Sequence, residues 1–167
     1  MSKIVQDLLT LSRFDAGSIE FEFTRFSFEK SVRDVYSAMR IEAQKHKHEF
    51  TLEFLTPVPE IRGDRGRIEQ VLINMVSNAI KYTPAGRVVV GARRQGDNVI
   101  IQVTDSGIGI PASKFRTVFK EFARLEEGMR TASGLGLGLS IVDRIARVLH
   151  HPVELASKPG RGTTFRV

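Results

Sequence analysis

The sequence contains no cysteine, so this 167-residue chain cannot form disulfides or thiolate metal sites. It also lacks a run of about eighteen apolar residues, which excludes a membrane-spanning helix within it, and no signal peptide is recognisable at Met1. Internal repeats and low-complexity segments are missing as well. The composition is that of an ordinary globular protein. The chain is long enough for one domain with a sizeable core. The lack of cysteine is compatible with a reducing compartment.

Acidic residues are fewer than basic ones, 19 against 25, which gives a formal net charge of +6. An anionic partner would fit this charge, but so would a merely soluble basic surface, because the basic residues are scattered along the chain. The sequence shows no aromatic-basic groove and no recognition helix, so we do not expect a nucleic-acid partner.

The periodicity of the apolar residues predicts alternating strands and helices. Strands are expected at 20–28, at 49–54, in a pair over 87–105 and in a last hairpin. Helices are expected at 3–14, after a cap at Ser27, and at 65–82, 113–122 and 137–149. Because most strands are joined by hairpins, this order predicts an α+β two-layer sandwich.

The helix predicted over 65–82 carries a line of polar residues beside its apolar face. Asn74 and Asn78 lie one turn apart, so their amides lie one above the other. Two asparagines on one helix edge are notable because asparagine is a poor helix former. A side-chain carbonyl can bind Mg²⁺, and Lys81 can neutralise phosphate oxygens. A solvated helix face is the alternative interpretation.

The segment "TDSGIGIP" (104–111) places a carboxylate before two glycines that are spaced by one residue. Such a turn lets a planar ligand approach the backbone, and Asp105 could accept a hydrogen bond from an exocyclic amine. The alternative is a plain turn in which the aspartate supports the backbone.

The segment "GLGLGLS" (134–140) places three glycines before a predicted helix. Glycines there leave backbone N–H groups free to face an anion, while the intervening leucines can anchor the loop in the core. The alternative is a flexible hinge. The pattern is neither a Walker A loop nor a dinucleotide fingerprint, and "GRGTTF" (160–165) alone is an ordinary hairpin turn.

Taken together and in order, these segments resemble the catalytic, ATP-binding domain of bacterial sensor histidine kinases, within the gyrase, Hsp90, histidine kinase and MutL superfamily. "INMVSNAIKYTP" is similar to the N box, "DSGIGIP" to the G1 box, "FKEF" to the F box, "GLGLGL" to the G2 box and "GRGTTF" to the last glycine box. The match covers roughly residues 64–167. "KIVQDLLTLSRFDAG" resembles the end of the dimerisation helix.

This resemblance implies two parts and one fold. Residues 1–17 would be the C-terminal end of the dimerisation and phosphotransfer helix, and residues 18–167 the catalytic domain. The expected fold is a mixed, mostly antiparallel sheet packed on helices, of the Bergerat type.

The resemblance also implies roles for residues around the adenine of ATP and along the helix predicted over 65–82. Asn78 would bind Mg²⁺, Lys81 would contact phosphate, and Tyr82 would pack near the adenine. Asp105 would accept from the adenine amino group, with an ordered water that Thr163 shares. The pocket would be shaped by Gly107, Gly109 and Ile110.

Further residues are implied around the phosphates. Phe119 and Phe122 would flank a lid over about 120–133, from which Arg124 or Arg130 would reach the phosphates. The loop that wraps the phosphates would consist of Gly134, Leu135, Gly136, Leu137 and Gly138.

By this resemblance, Asn74 occupies the position at which the ATPases of the superfamily have a glutamate that activates water. An amide cannot accept that proton, so we expect transfer of the γ-phosphoryl group to a histidine rather than hydrolysis. With Asn78 and Lys81, Asn74 completes the expected catalytic set.

No histidine of this chain lies in the acceptor context of the family, which has an acidic residue, an arginine and a proline at fixed spacing. His46, His48, His150 and His151 all lack it. We therefore expect the acceptor outside this chain. A second departure is "HHPVE" (150–154), where the family usually has His-Gly-Gly.

The implied ligands are ATP or ADP with Mg²⁺, and the implied partners are the dimerisation and phosphotransfer domain of the same protein and a response regulator receiver domain. The parent would be a cytoplasmic homodimer, or the cytoplasmic part of a membrane-bound sensor, and the fragment a monomer. Two other functions stay open: a self-contained ATPase of the superfamily, and a non-catalytic, nucleotide-responsive binding module.

Overall fold

The computed structural model of the protein describes residues 3–123 and 135–167. Four helices and seven strands occur in this part of the chain, with two short 3₁₀ turns at Ala112–Lys114 and Thr117–Phe119. The elements are α1 (Lys3–Asp15), β1 (Thr24–Ser27), α2 (Phe28–Lys45), β2 (Glu49–Phe54), β3 (Glu60–Gly63), α3 (Arg65–Lys81), β4 (Arg87–Gln95), β5 (Asn98–Asp105), α4 (Gly138–Val148), β6 (Glu154–Lys158) and β7 (Gly162–Arg166).

Five of the strands form one mixed sheet, in the order β2-β4-β5-β7-β6. Strands β2 and β4 are parallel, and every other neighbouring pair is antiparallel. Strands β1 and β3 form a separate antiparallel pair. The expected mixed, mostly antiparallel sheet is thereby confirmed.

The core lies between one face of this sheet and the helices. Alternate residues of β4 and β5 point inward, as period-two side-chain alternation requires, and they meet the apolar faces of α2, α3 and α4. Fully buried side chains from both layers include Val88, Val90, Val103, Leu72, Met75, Val76, Ile141 and Ile145. The α+β two-layer sandwich predicted from the sequence is confirmed.

Caps begin the two longest helices. Ser27 accepts a hydrogen bond from the N–H of Lys30, as predicted, and Asp64 accepts one from the N–H of Arg67. The second oxygen of Asp64 accepts from the N–H of Glu22, 3.0 Å away, which ties the segment before β1 to the start of α3.

Two elements differ from the prediction. The strand expected over 20–28 is confined to Thr24–Ser27, because the backbone at Glu22 pairs with the Asp64 side chain and Ser27 already caps α2. The helix expected over 113–122 is wrong: two 3₁₀ turns occur there, in a segment whose Phe115, Thr117 and Val118 are weak helix formers.

None of the described helices combines the length and apolar composition needed to cross a bilayer. Helix α1 packs against α4 and is joined to it by an ion pair between Asp15 and Arg144. The same guanidinium also pairs with Glu121, just after the second 3₁₀ turn.

Candidate functional site

An open cavity lies between α3, the start of α4 and the strands β5 and β7. It encloses about 670 Å³ when counted out to its mouth. Among the residues predicted from the sequence, the structure brings the following to its wall: Asn78, Tyr82, Asp105, Gly109, Ile110, Gly136, Gly138 and Thr163. Their functional roles stay predictions, but segments up to 85 residues apart do meet at one place.

The two ends of the cavity lie beside different turns of helix α3. At its C-terminal end, a Cβ placed on Gly107 would lie 2.2 Å from the carbonyl oxygen of Tyr82. Two turns earlier, a Cβ on Gly138 would lie 3.6 Å from the side chain of Asn74. Eight residues of helix correspond to about 12 Å, so the Asp105 end and the glycine-loop end of the cavity are well separated.

Asp105 closes one end of the cavity as the last residue of β5. Its side chain is 8% exposed, and its Oδ1 accepts a hydrogen bond of 2.8 Å from the N–H of Gly107. Burial raises the pKa of Asp105 to about 6, although the N–H groups of Gly107 and Thr163 and the hydroxyl of Thr83 act in the opposite direction. The carboxyl is therefore mainly ionised at neutral pH and becomes protonated in mild acid.

The turn after Asp105 depends on close backbone packing. The N–H of Ile108 donates to the carbonyl of Tyr82, and its carbonyl accepts from the N–H of Gly160. Gly109 has φ +72°, and a Cβ there would lie 2.1 Å from the carbonyl oxygen of Lys158. The turn is thus held between the end of α3 and the β6–β7 hairpin, with no room for side chains at its glycines.

The two asparagines of α3 occupy different environments. Asn78 lines the cavity, whereas Asn74 is 3% exposed and lies beneath Gly138. The prediction of a solvated face therefore does not apply to Asn74. Its buried side chain lies beside Gly138, the first residue of α4.

The glycine loop leads into α4 without a side-chain cap. Leu137 is the N-cap residue, no capping hydrogen bond from a side chain occurs among the described residues, and no acidic residue lies in the first turn. The hydroxyl of Ser140 donates to the carbonyl of Leu137, 2.7 Å away. The first N–H groups of a helix have no carbonyl partner within it, and together with the helix dipole they favour an anion. Gly136 and Gly138 both line this end of the cavity, next to the first turn of α4.

Several predicted residues lie outside the cavity wall. Gly107 packs behind Asp105, Leu137 is buried in the core, and Phe119 packs edge-on against Phe165 with ring centroids 6.1 Å apart. Lys81 is half-buried at the end of α3. Phe122 and Leu135 are 60% and 40% exposed. Leu135 therefore does not anchor the loop as expected for its leucines, whereas Leu137 is buried and Leu139 packs against the core. Arg124, Arg130 and Gly134 lie outside the described residues.

Other lining residues were not predicted from the sequence. They are mostly apolar: Ala79, Ile108, Val118, Ala123, Leu139 and Phe165. Ala79, Ile108, Leu139 and Phe165 stand inside the quoted segments, which was the available signal. Ala79 and Val118 could not be separated from core residues by periodicity, because an apolar cavity wall and a core have the same pattern.

Comparison with known proteins agrees with this geometry. Residues 63–167 match the family described as "Histidine kinase-, DNA gyrase B-, and HSP90-like ATPase". The circadian input-output histidine kinase CikA of Thermosynechococcus vestitus is 34% identical over 171 residues, covering 99% of this chain and 23% of its own length. The aerobic respiration control sensor protein ArcB of Escherichia coli is 29% identical over 169 residues, covering 99% and 22%.

Solved structures show the same fold. Full-length ShkA in complex with AMPPNP has a TM-score of 0.88 at 30% identity, with 98% of this chain and 34% of that one covered. The histidine kinase ThkA in complex with the response regulator protein TrrA has a TM-score of 0.77 at 26% identity, covering 98% and 47%.

The chain spans only 22–23% of the length of the two curated relatives named above. The family match covers the whole of the cavity, from the start of α3 to the end of β7. The chain belongs to the histidine kinase-, DNA gyrase B- and HSP90-like ATPase family.

Proposed function

We propose that this chain is the ATP-binding catalytic part of a sensor histidine kinase and that it transfers the γ-phosphoryl group of ATP to a histidine outside this sequence. One observation carries the proposal. A single cavity joins a buried carboxylate at one end to an uncapped, glycine-led helix start at the other. The first suits a base with an amino group, and the second suits phosphates.

At the base end, the ionised Asp105 accepts a hydrogen bond from the adenine amino group. The hydrogen bond from the N–H of Gly107 holds the carboxylate in place, and the apolar wall formed by Ile108 and Ile110 excludes water from the base. We propose that Tyr82, which lines the same end, packs against the nucleotide.

At the phosphate end, Mg²⁺ fits the residues present. Within the described part of the chain, no group of three or more metal-binding side chains could hold an ion by itself. Magnesium usually takes few protein ligands and completes its shell with substrate phosphates and water. The carbonyl oxygen of Asn78 is the ligand that this chain would supply, and the bound ion would neutralise charge on the phosphates.

The cavity is suited to transfer rather than hydrolysis. Of the described residues that line it, only Asp105 has a carboxyl, and it lies at the base end. Asn74 cannot accept a proton from water. A neutral histidine nitrogen needs no such base: a bond forms from nitrogen to the γ-phosphorus as the bond to the bridging oxygen breaks, and ADP leaves.

We propose that α1 is the end of the dimerisation and phosphotransfer helix, with 18–167 as the catalytic domain. Ile4, Val5, Leu8 and Leu9 are each 42–45% exposed on α1, which supports packing against helices of the parent protein. A response regulator receiver domain is the proposed acceptor from the phosphohistidine, and the complex of the histidine kinase ThkA with the response regulator protein TrrA supports this.

Calorimetric titration with ATP, with and without Mg²⁺, tests the proposal. The wild type is expected to bind Mg·ATP, and Asn78→Ala to lose at least roughly tenfold in affinity together with its dependence on Mg²⁺. Asn98→Ala, at the exposed first residue of β5, is the matched control and should bind as the wild type does.

A second step separates the alternatives. With radiolabelled ATP and a separately supplied dimerisation and phosphotransfer domain of the parent protein, we expect an acid-labile phosphohistidine. Steady release of inorganic phosphate would instead favour an ATPase. Binding without transfer or hydrolysis would favour a non-catalytic module.

A further inference from the structure

Ser157, on β6, lies outside the cavity wall but touches three groups that shape it. Its Oγ is 2.8 Å from the N–H nitrogen of Ile110, 2.8 Å from the carbonyl oxygen of Gly162 and 2.9 Å from Oγ1 of Thr163. Ser157 and Thr163 face each other across the β6–β7 ladder. One hydroxyl therefore joins the turn after Asp105, the last glycine turn and the floor of the cavity.

The direction of these hydrogen bonds follows from the atoms involved. A serine hydroxyl has one proton and accepts two hydrogen bonds. The carbonyl of Gly162 can only accept, so it takes the proton of Ser157, and the N–H of Ile110 can only donate. The remaining contact must then run from the hydroxyl of Thr163 to the oxygen of Ser157.

This assignment decides what Thr163 offers to a ligand. With its proton committed to Ser157, its oxygen presents only lone pairs. Thr163 also stands opposite Asp105 in the β5–β7 ladder, and both line the cavity. An ionised carboxylate is likewise an acceptor only. At the Asp105 end of the cavity, the side chains of Asp105 and Thr163 therefore accept hydrogen bonds from a ligand and donate none.

We propose that Ser157 is a positioning residue for base specificity: by holding the Thr163 proton away from the cavity, it makes the site select a purine with an exocyclic amine over one with a carbonyl at that place. This inference rests on the proposed binding of ATP. A carbonyl edge would face two acceptors, whereas an amine, or a water beside it, can donate to them.

The test compares the affinities of ATP and inosine triphosphate, which carries a carbonyl in place of the amine, at pH 8, where Asp105 is ionised. In Ser157→Ala the Thr163 proton can rotate towards the cavity. The preference for ATP is expected to fall by roughly 3- to 10-fold, the factor that one neutral hydrogen bond represents. Ser157→Thr keeps the hydroxyl and should restore the wild-type preference.

A merely structural role would give a different result. If Ser157 only braced the turns at Ile110 and Gly162, its loss would weaken both nucleotides in proportion and leave their ratio unchanged. Thr164→Val is the matched control, because Thr164 alternates to the other face of β7, where its hydroxyl lies 3.1 Å from that of Thr104. Its ratio should equal that of the wild type.

Thr163→Val provides a second route if Ser157→Ala does not fold. It removes the hydroxyl that Ser157 orients, so it should lower the preference for ATP, and adding Ser157→Ala should change the ratio no further. An unchanged ratio in the single variants, with ATP binding intact, would overturn only the role of Ser157. Failure of the wild type to bind ATP would overturn the proposed function as well.

Discussion

At the Asp105 end of the cavity the glycines are enclosed by backbone, and so is Gly136, where a Cβ would lie 2.6 Å from the carbonyl oxygen of Ala123. Gly138, at the start of α4, differs from all of them, because its nearest neighbour is a side chain at an ordinary contact distance. A Cβ on Gly162 would lie 1.9 Å from the carbonyl oxygen of Asp105, and one on Gly107 would lie 2.2 Å from that of Tyr82. The nearest atom to a Cβ on Gly138 is 3.6 Å away, an ordinary contact, and its φ lies outside the left-handed region.

This difference distinguishes two reasons why a position in this chain is occupied by glycine. At Gly107 and Gly162 the protein itself leaves no room for a side chain, so these residues are needed whether or not a ligand binds. At Gly138 the fold would accept alanine, and alanine is the better helix former. Under the proposed function, the space that Gly138 leaves in the cavity would allow phosphates to approach the start of α4 closely.

The largest effect is expected for Gly107→Ala. The added methyl group would meet the carbonyl oxygen of Tyr82, the hydroxyl of Thr83 at 2.7 Å and the carboxyl of Asp105 at 2.9 Å. Because all three are backbone or buried groups, we expect a loss of about 3 kcal/mol or more in the free energy of unfolding. Denaturant unfolding monitored by circular dichroism measures it.

Gly96→Ala is the control for Gly107→Ala. Gly96 has φ +61° in the β4–β5 turn, and nothing lies within 4 Å of its Cβ position. Only backbone strain applies there, and it should cost about 1–2 kcal/mol. Equal losses in the two variants would contradict the importance of close packing around Gly107.

A smaller effect, of opposite sign, is expected for Asp105→Asn. Because burial raises the pKa of Asp105 from 3.8 to about 6, the protonated form stabilises the folded state, and this contribution is lost as the pH rises from about 4 to 6. At pH 8 the variant should therefore be more stable than the wild type, by on the order of 1–3 kcal/mol. The difference should shrink towards pH 4.

Binding should respond to Asp105→Asn in the other direction. The variant presents an amide to the adenine amino group and should bind ATP more weakly at pH 8. In the wild type, affinity should fall below about pH 6 as Asp105 is protonated. Titration of the Asp105→Asn variant with ATP over the same pH range corrects for protonation of the phosphates.

The stability prediction has its own contrary outcome. An Asp105→Asn variant less stable than the wild type at pH 8 would show that hydrogen bonds to the carboxylate outweigh the cost of burying it.

The sequence was most informative where chemistry and spacing coincide. Asn78 and Asp105 could be singled out as candidates from their own segments, whereas Thr163 and the joining of all three into one site followed only from the resemblance to the histidine kinase family. Ser157 could not be identified, because its role depends on the register of the β6–β7 hairpin and on a contact with Ile110, 47 residues away. A lone serine on a strand carries no local signal of that kind.

Long-range pairing limited the prediction of the fold in the same way. Strand β3 is four residues long and pairs with β1 across more than 30 residues, so local alternation did not reveal it. The parallel pairing of β2 with β4 likewise joins strands separated by a whole helix, α3. Hairpins, such as β4–β5, were predictable because their turn lies in the sequence between them.

Gly138→Ala isolates the contribution of the ligand at the other end of the cavity, and its effect on stability is the smallest expected. As the first residue of α4, alanine should leave the free energy of unfolding unchanged or raise it by about 0.5–1 kcal/mol. The methyl group would occupy space beside the first N–H groups of the helix, so affinity for ATP should fall roughly tenfold while adenosine, which lacks phosphates, binds as before.

Gly66→Ala is the matched control for Gly138→Ala, because Gly66 also lies in the first turn of a helix and its Cβ position is 3.6 Å from the nearest atom, Oδ1 of Asp64. Gly66 does not line the cavity. Calorimetry and thermal unfolding should show similar stability in both variants but lower affinity for ATP only in Gly138→Ala. Equal affinities would mean that phosphates do not approach α4, and the contrast between the two ends of the cavity would then have no bearing on ligand binding.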